Sequence, residues 1–493
     1  MVKAKKRLFI LLVCALIAGQ ASVSFPACAG VQEKQEISEI IQEINQKNRK
    51  LDAPDISLKK FCYNFKNNKQ KLNKKDISIM WKDYNRKNIK KNIPAVSARK
   101  EVKWLFRLLR SQYGLYTYYG GDAKFARAKK AVLKEIGTKG SIKTKKYQKL
   151  LHKHLDFITD SHLAIGEELF SPDTRLFSDE SVRYIKYNAC FYKEGNPGDK
   201  ILSINGKKPE IYLKRAIDND GRLAYFPYVM LEQKDNICSY SIQYQSGKTE
   251  YITLKPARYV YKKNVKRMYG YEKYDKLAYI EMNQAYMDWE TPKERKRFLK
   301  DVDDMKKKEQ LVFDLRNNTG GDGSLVDEWF KKYTGKTLLP NYSTLRIRPT
   351  AISSKRELAE MDEFAASYGL KKSGRYYYYA NPGHQYLDNG SRQIFVLTSR
   401  MTSSAAEAMT DALKNIENVI TIGTNTGGVL INMANYSMAM PYSGLFLQYG
   451  SCLQHFDSSY FKESYGIEPD IYLTGKNLKQ RLKKFFEIYV TGL

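Results

Sequence analysis

The sequence predicts an α/β fold for the last two fifths of the chain, because strand patterns alternate with helical patterns there. Leu277–Met282 has a strand pattern, residues 292–307 form an amphipathic helix, and residues 311–315 are an almost continuous apolar run. Such a run is typical of a parallel strand that is buried on both faces. This order of elements predicts a layered domain with helices packed on a largely parallel sheet.

A second strand, helix and strand unit follows in residues 394–430. An apolar run leads through small hydroxyl residues into a helix that begins at Ala405, and a second apolar run at 419–422 ends in a glycine-rich turn. This order places Ser404 where a strand feeds a helix, beside free backbone N–H groups and the positive end of the helix dipole. Such a position can stabilise an oxyanion.

A simpler interpretation of Ser404 is available. Ser404 and Glu407 have the spacing of a capping box, in which the two side chains satisfy each other's backbone donors at a helix start. Capping boxes are frequent, and the spacing alone leaves both the cap and a nucleophile open.

Length and charge set the limits of the interpretation. With 493 residues the chain exceeds one ordinary core, and its 42% hydrophobic content is that of a folded protein.

The formal net charge is +31, with lysine-rich runs concentrated in the N-terminal third. The charge has three interpretations, which are a solvated basic surface, nonspecific contact with an anionic cell envelope, and nucleic-acid binding. We predict no nucleic-acid partner, because the N-terminus indicates export.

Residues 1–29 have the pattern of a secretory signal. Basic residues precede an apolar run at 8–18 that is short for a membrane span, and Ala27-Cys28-Ala29 is a small-residue cleavage site. An uncleaved anchor and a lipidated Cys28 are the alternatives. The signal predicts a secreted or extracytoplasmic protein.

The cysteines do not indicate a metal site. Cys62, Cys190, Cys238 and Cys452 are widely spaced and form no CxxC pair. We therefore predict no zinc or other metal and no cofactor. Buried thiols are expected, and Cys190 with Cys238 is the one disulfide to test.

Two further stretches carry candidate chemistry. His162 lies in an Asp-Ser-His sequence that we place in a turn just past a helix end, where a histidine can serve as a general base. Residues 316–323 form a glycine-rich loop at the end of a strand, and Gly320 and Gly321 let backbone N–H groups approach a ligand. The loop lacks the pattern of a phosphate-binding site, and an ordinary glycine turn is the alternative.

The other regions divide by their patterns, and Asn205-Gly206 marks a hairpin in the β-rich part. The predicted organisation is an export signal at 1–29, a polar spacer or small helical region at 30–95, a helical part at 96–168, a small β domain at 169–258, the α/β domain at 265–475 and a basic helix at 476–493.

The chain resembles the tail-specific, or C-terminal processing, serine peptidases and their tricorn-core and retinoid-binding-protein relatives. Four motifs in order carry the resemblance: Asp-Ser-His at 160–162, Asp-Leu-Arg-Asn-Asn-Thr-Gly-Gly at 314–321, Ser-Ser-Ala-Ala-Glu at 403–407 with the glycine-rich turn after it, and Gly-Ile-Glu-Pro-Asp at 466–470. The resemblance implies a layered ClpP/crotonase-like catalytic domain with an inserted, degenerate PDZ-like β domain. Val429 stands where the Ser-Lys branch has its lysine, and the sequence is instead similar to the tricorn-like branch.

Carried over residue by residue, the resemblance implies that Ser404 is the nucleophile and His162 the general base. Glu463 would be the polar partner of the site and Ser161 an auxiliary hydroxyl. Backbone N–H groups of Gly320 or Gly321 and of Ala405 would bind the oxyanion.

The first hypothesis is therefore a secreted serine endopeptidase that cuts polypeptides through an acyl-enzyme without a metal. The second is a catalytically inactive family member that binds peptides or apolar ligands at the cell surface. A third, a basic envelope-binding protein, rests on charge alone.

Overall fold

The computed structural model describes residues 27–54, 57–64, 72–80, 82–232, 236–258, 268–285, 291–350, 352–367, 369–379 and 383–490. The predicted export signal lies outside these residues, except that residues 27–29 begin the first helix. The helices are α1 Ala27–Asn48, α2 Lys74–Ser78, α3 Ala95–Gln112, α4 Gly121–Ile136, α5 Thr144–His154, α6 Pro292–Met305, α7 Ser324–Thr334, α8 Lys355–Ser367, α9 Ala405–Leu413 and α10 Leu478–Tyr489, with short 3-10 turns at Leu58–Phe61, Arg86–Asn88 and Pro209–Ile211.

The strands alternate with these helices and confirm the α/β fold class. They are β1 Asn92–Pro94, β2 Ser141–Lys143, β3 Asp160–Ile165, β4 Glu168–Phe170, β5 Thr174–Ser178, β6 Tyr184–Tyr187, β7 Cys190–Lys193, β8 Asn196–Ile204, β9 Leu213–Ile217, β10 Leu223–Glu232, β11 Cys238–Tyr244, β12 Thr249–Pro256, β13 Tyr269–Lys273, β14 Leu277–Met282, β15 Gln310–Asp314, β16 Tyr342–Ile347, β17 Lys371–Ser373, β18 Tyr376–Tyr379, β19 Gln393–Thr398, β20 Val419–Gly423, β21 Asn432–Ala439, β22 Phe446–Phe456, β23 Phe461–Lys462, β24 Gly466–Ile467 and β25 Ile471–Tyr472.

Four parallel strands, in the order β14, β15, β19 and β20, form the centre of the main sheet. Every residue of β15 and β20 is buried, as their continuous apolar runs predict. Because the strands are parallel, the loops after β15, β19 and β20 all lie at one edge of the sheet. That edge carries the glycine-rich loop, Ser404 and the glycine-rich turn.

Helices cover both faces of this sheet. On one face Phe298 of α6, Trp329 of α7 and Met409 of α9 pack into the core. On the other, the isoleucine stripe of α1 at positions 37, 40, 41 and 44 packs with α10 against β19 and β20. The polar segment that follows the signal thus contains a helix whose apolar side belongs to the core of the sheet.

A second sheet brings the N-terminal part of the chain to the same edge. Its order is β17, β18, β16, β22, β3 and β4, and β21 also pairs with β22. Strand β3 pairs with β22 through Gln448 opposite Ala164. Helices α3, α4 and α5 pack in one hydrophobic core with this sheet. Residues 160–162 therefore reach the site from a position more than 200 residues away along the chain.

The small β domain continues the main sheet through one pairing of β25 with β9, Tyr472 opposite Ala216. Within the described residues of 169–258 the secondary structure is strands and the single 3-10 turn Pro209–Ile211, with no α-helix. Cys190 and Cys238 are free thiols in this domain, and Cys62 and Cys452 are free as well.

Candidate active site

Ser404 occupies a strained backbone position between β19 and α9. Its φ and ψ angles are 56° and −122°, a conformation that costs a residue with a side chain about 1–3 kcal/mol. Ser404 is the residue before the first helical position of α9, so the N–H groups of the first turn point toward it. The strain presents the side chain at the edge of the sheet, where the three loops meet.

Glu407 holds this turn in place. Its buried carboxylate accepts hydrogen bonds from the N–H of Ser404 at 3.0 Å, the hydroxyl of Thr426 at 2.6 Å and the N–H groups of Gly428 and Val429, both at 2.7 Å. Burial raises the pKa of Glu407, while these four donors favour the charged form and oppose that shift. One carboxylate thus connects the serine turn to the glycine-rich turn after β20.

The hydroxyl of Ser404 has another neighbour. Ser404 and Glu407 stand in the arrangement of a capping box, but the Glu407 N–H donates to the carbonyl oxygen of Ser404 at 2.9 Å. The hydroxyl contacts the thioether of Met433 at 3.8 Å. The Glu407 carboxylate therefore acts as a cap, because it accepts from the Ser404 N–H. The Ser404 hydroxyl takes no part in this cap and faces strand β21.

Ser403 is packed differently from its neighbour. A methyl group built on Gly427 would lie 2.2 Å from the Ser403 hydroxyl oxygen, so this side chain points at the glycine-rich turn. The Ser403 N–H donates to the carbonyl oxygen of Asn318 at 3.0 Å. Ser403 thus joins two loops and leaves Ser404 as the serine beside the free helix donors.

The loop after β15 lies directly against Ser404. Gly320 has φ +104°, and a methyl group there would lie 2.7 Å from the Cβ of Ser404 and 3.2 Å from the N of Ala405. The N–H of Gly320 donates to the side-chain oxygen of Asn318 at 2.9 Å, which corrects the prediction that it could bind an oxyanion. The N–H groups of Gly321 and Ala405 have no acceptor among the described residues. They remain the two available donors.

With Ser404 as the nucleophile, replacing Gly320 by alanine should lower kcat/KM by about 100-fold, because displacing a reacting group by about 1 Å costs that much. The new methyl group would press on Ser404 at a backbone angle that disfavours alanine. Gly323→Ala is the matched control, since a methyl group there meets nothing within 4 Å. Equal activity of the two variants would contradict the close approach of the loop to Ser404.

His162 lies in the middle of strand β3 and is 7% exposed, so the predicted position in a turn past a helix end is wrong. Strand β3 pairs with the neighbouring β4 and with β22, and the second partner is too distant along the chain for the local pattern to reveal. Burial lowers the pKa of His162, against the opposing effects of the Asp160 carboxylate and the backbone of Asn432. This direction favours the neutral ring, which is the form that a general base needs. Its Nδ1 atom is buried and has no hydrogen-bond partner among the described residues.

Asp160 is a site residue to which the sequence analysis gave no role. It is fully buried and accepts from the Tyr113 hydroxyl at 2.7 Å, the side-chain amide of Asn432 at 2.6 Å and the N–H of His162 at 2.8 Å. Its position in the Asp-Ser-His motif was the available signal. The positions of Tyr113 and Asn432 could not be inferred from spacing.

Glu463 lies beside the histidine strand and contacts its backbone. Its carboxylate accepts from the N–H groups of Ser161 at 2.9 Å, Ile431 at 3.1 Å and Leu430 at 3.2 Å. Burial and the nearby Asp160 raise the pKa of Glu463 to about 8, although the backbone donors oppose this. Glu463 thus fixes β3 to the segment that leads into β21, and it makes no hydrogen bond to the ring of His162.

The contacts of the Ser161 hydroxyl are to residues other than Ser404. Its oxygen lies 3.1 Å from the Ser171 hydroxyl oxygen and 3.4 Å from the carbonyl oxygen of Gly428, and its single proton can be donated to either. Its predicted auxiliary role at the nucleophile has no contact to support it. Ser161 instead connects β3 to the glycine-rich turn.

Strand β21 separates the two central side chains. Asn432 bonds to Asp160 and its backbone lies beside the His162 ring, while Met433 contacts the Ser404 hydroxyl. No hydrogen bond joins His162 to Ser404. The next residue, Ala434, has φ +58° and interrupts the pairing of β21 with β22. Met433 and this irregularity had no signal in the sequence.

Two carboxylates from the other motifs stabilise the strands that carry the site. Asp314, at the end of β15, forms a two-pronged ion pair with Arg316, at 2.8 and 2.6 Å, and accepts from the Tyr279 hydroxyl at 2.5 Å. Asp470 forms a buried ion pair with Lys414 at 3.0 Å and accepts from the Thr421 hydroxyl at 2.7 Å. Both carboxylates are committed to holding the ends of central strands.

The described residues contain neither a cluster of metal-ligating side chains nor a helix suited to span a membrane. No three His, Cys, Asp or Glu side chains there are grouped as metal ligands would be. None of the helices in that part of the chain combines the length and apolar content of a membrane span.

With this geometry in hand, the comparisons define a serine-type peptidase. Residues 276–473 match the family model described as Peptidase family S41. This match agrees with the resemblance to the tail-specific peptidases, and three of the four motifs, at 314–321, 403–407 and 466–470, lie within the matched residues.

Similar solved structures include mature CPAF, at 14% identity and a TM-score of 0.40, covering 80% of this chain and 95% of that one. The photosystem II D1 C-terminal processing protease matches at 13% identity and a TM-score of 0.36, covering 79% and 97%. A putative peptidase from Parabacteroides merdae matches at 14% identity and a TM-score of 0.37, covering 80% and 95%. These likenesses are too distant to transfer a substrate or a residue role.

Proposed function

We propose that the protein is an exported serine endopeptidase that hydrolyses polypeptides through an acyl-enzyme on Ser404, with His162 as the general base. The observation that carries the proposal is the position of Ser404. A strained serine stands at the start of α9 against the loop after β15, and the N–H groups of Ala405 and of Gly321 in that loop lack acceptors among the described residues. An ordinary helix cap needs neither the strain nor the close approach of Gly320.

The reaction follows from these positions. The Ser404 hydroxyl oxygen attacks the carbonyl carbon of the scissile bond as His162 takes its proton. The N–H groups of Gly321 and Ala405 donate to the oxyanion, and each such donor is worth roughly 3 kcal/mol in the transition state. His162 then gives its proton to the leaving amine, and water releases the acyl group by the same steps in reverse.

The proposal requires a movement at β21. His162 has to reach the Ser404 hydroxyl to take its proton, and Met433 now occupies that contact. The left-handed backbone of Ala434, next to Met433, is the local point for such a shift, because Ala434 is left out of the pairing of β21 with β22 although the register is the same on both sides of it. Asp160 and Glu463 hold β3, so β21 is the element expected to move.

A second candidate function is a peptide-binding protein without catalysis. It is favoured by one observation, the Met433 thioether at Ser404 with no hydrogen bond from His162. If that arrangement is permanent, the edge of the sheet can bind a peptide but cannot activate the serine.

Acylation of the purified protein by a fluorophosphonate separates the two candidates. Under the peptidase hypothesis the wild-type protein is labelled, and the rate of labelling should fall at least 1000-fold in His162→Ala, since a general base and its serine act as a unit. His154→Ala is the control, because His154 pairs with Glu135 at the surface of α5. A wild-type protein that folds and is never labelled would favour the binding protein.

The pH dependence tests the base. The pKa of His162 is lowered below its ordinary value by burial, so the imidazole stays neutral to a lower pH than an exposed histidine. The acid limb of kcat/KM should therefore have its midpoint below the ordinary histidine value of about 6.5. Rates of a peptide substrate from pH 4.5 to 8 measure it. A midpoint above 7 would show that another group is the base or that His162 is held in its charged form.

A further inference from the structure

A cleft between helices α3 and α4 is a candidate binding site outside the peptidase site. Its volume is about 630 Å³, within the range of pockets for small organic ligands. Phe106 of α3 and Phe125 of α4 form part of its wall and are almost fully buried. Leu133 adds a half-buried apolar side chain. The floor of the cleft is therefore apolar, and its accessible apolar surface comes from Leu133 and the exposed Ala126.

The charge of the cleft is all of one sign. Five of its twelve lining residues are lysine or arginine and none is a carboxylate. Arg110 is paired with Asp122 at 2.7 Å on one side, while Lys129, Lys130 and Lys134 have no ion pair among the described residues. The lysines stand along α4, above the apolar wall.

Lys129 is the most constrained of these cations. It is half-buried, and burial together with repulsion from Arg110, Arg107 and Lys103 lowers its pKa. A cation in such surroundings gains more from an added anion than an exposed lysine does, because water screens it less. A negatively charged group bound next to Lys129 would therefore be stabilised.

We propose that this cleft binds an amphiphilic anion, a phosphate or carboxylate head with an apolar tail. The head would pair with Lys129 and its neighbours, and the tail would lie against Leu133 and Ala126, above the buried rings of Phe106 and Phe125. Charge-assisted hydrogen bonds and apolar burial then act on the same ligand. The ligand is either a free amphiphile or the head group and upper chain of an anionic lipid. None of the residues named here belongs to the peptidase site.

Calorimetric titration with decyl phosphate, and with decanol as its neutral counterpart, tests the proposal on the full-length protein. We expect one decyl phosphate per chain, bound at least tenfold more tightly than decanol. Lys129→Met should weaken the binding of decyl phosphate by about tenfold, which is the effect of losing one favourable ion pair of about 1.4 kcal/mol. The affinity for decanol should not change. Lys146→Met is the matched control, because Lys146 is an exposed lysine of α5 outside the cleft.

Vesicles of phosphatidylglycerol and of phosphatidylcholine distinguish the two sources of the anion. Sedimentation with phosphatidylglycerol that Lys129→Met reduces indicates a lipid head group, and decyl phosphate binding without vesicle binding indicates a free amphiphile. No binding of decyl phosphate, or equal losses in Lys129→Met and Lys146→Met, would overturn the proposal. Peptidase activity is not a readout here, so the proposed function can fail independently.

Discussion

Ser404→Ala should lower peptidase kcat/KM by about 10⁶-fold, the typical loss when the nucleophile of a serine peptidase is removed. Ser403→Ala should keep most of the activity, because the Ser403 hydroxyl faces Gly427 and not the free donors beside Ser404. The two variants differ by one position in the same turn, so differences in folding between them are small.

A double variant tests whether Ser404 and His162 act together. Ser404→Ala with His162→Ala should be no slower than Ser404→Ala alone, because the two groups act as one unit. Rates of cleavage of an internally quenched, unfolded polypeptide measure all four proteins. Additive losses, or a loss in Ser403→Ala as large as in Ser404→Ala, would contradict the assignment of Ser404.

Glu407→Gln should have the second largest effect, on stability as well as on rate. In the Gln side chain one of the two carboxylate oxygens is replaced by an NH₂ group. This NH₂ group would face two of the four N–H or O–H donors that now bond to the carboxylate, and it cannot accept from them. Breaking a buried charged network of this kind costs about 3–5 kcal/mol of the free energy of unfolding. Since Ser404 and the glycine-rich turn lose their common anchor, kcat/KM of the folded fraction should also fall, by about 100-fold.

Denaturant unfolding followed by tryptophan fluorescence measures the change in stability. Glu417→Gln is the control, because Glu417 makes a surface ion pair with Arg49 that is worth at most about 1 kcal/mol. A free energy of unfolding within 1 kcal/mol of the wild type in Glu407→Gln would show that the carboxylate is an ordinary helix cap.

The central sheet could be predicted because its strands are buried on both faces and have continuous apolar runs. Strand β14 begins and ends where the pattern places it, and the helix predicted at 292–307 ends two residues earlier, at Met305. Ser404 was identified for a similar reason, since the change from strand to helix is local in the sequence.

Most of the errors come from contacts between distant parts of the chain. His162 lies in a strand that pairs with the distant β22 as well as with the neighbouring β4. The error at Gly320 has a local cause, because Asn318 in the same loop accepts from its N–H group. Met433 reaches Ser404 only through the packing of β21 across the edge of the main sheet. The helical alternative for residues 30–95 holds for Ala27–Asn48, but its packing on the sheet could not be predicted. A local period shows which face of a segment is apolar and does not show which distant element covers that face.

The site of a covalent adduct tests the central claim most directly. After reaction of the wild-type protein with a fluorophosphonate, trypsin should release residues 401–414, which contain both Ser403 and Ser404. Fragment masses of this peptide assign the adduct to one residue. The account predicts the phosphonyl group on Ser404, and an adduct on Ser403 or on a serine outside this peptide would contradict it.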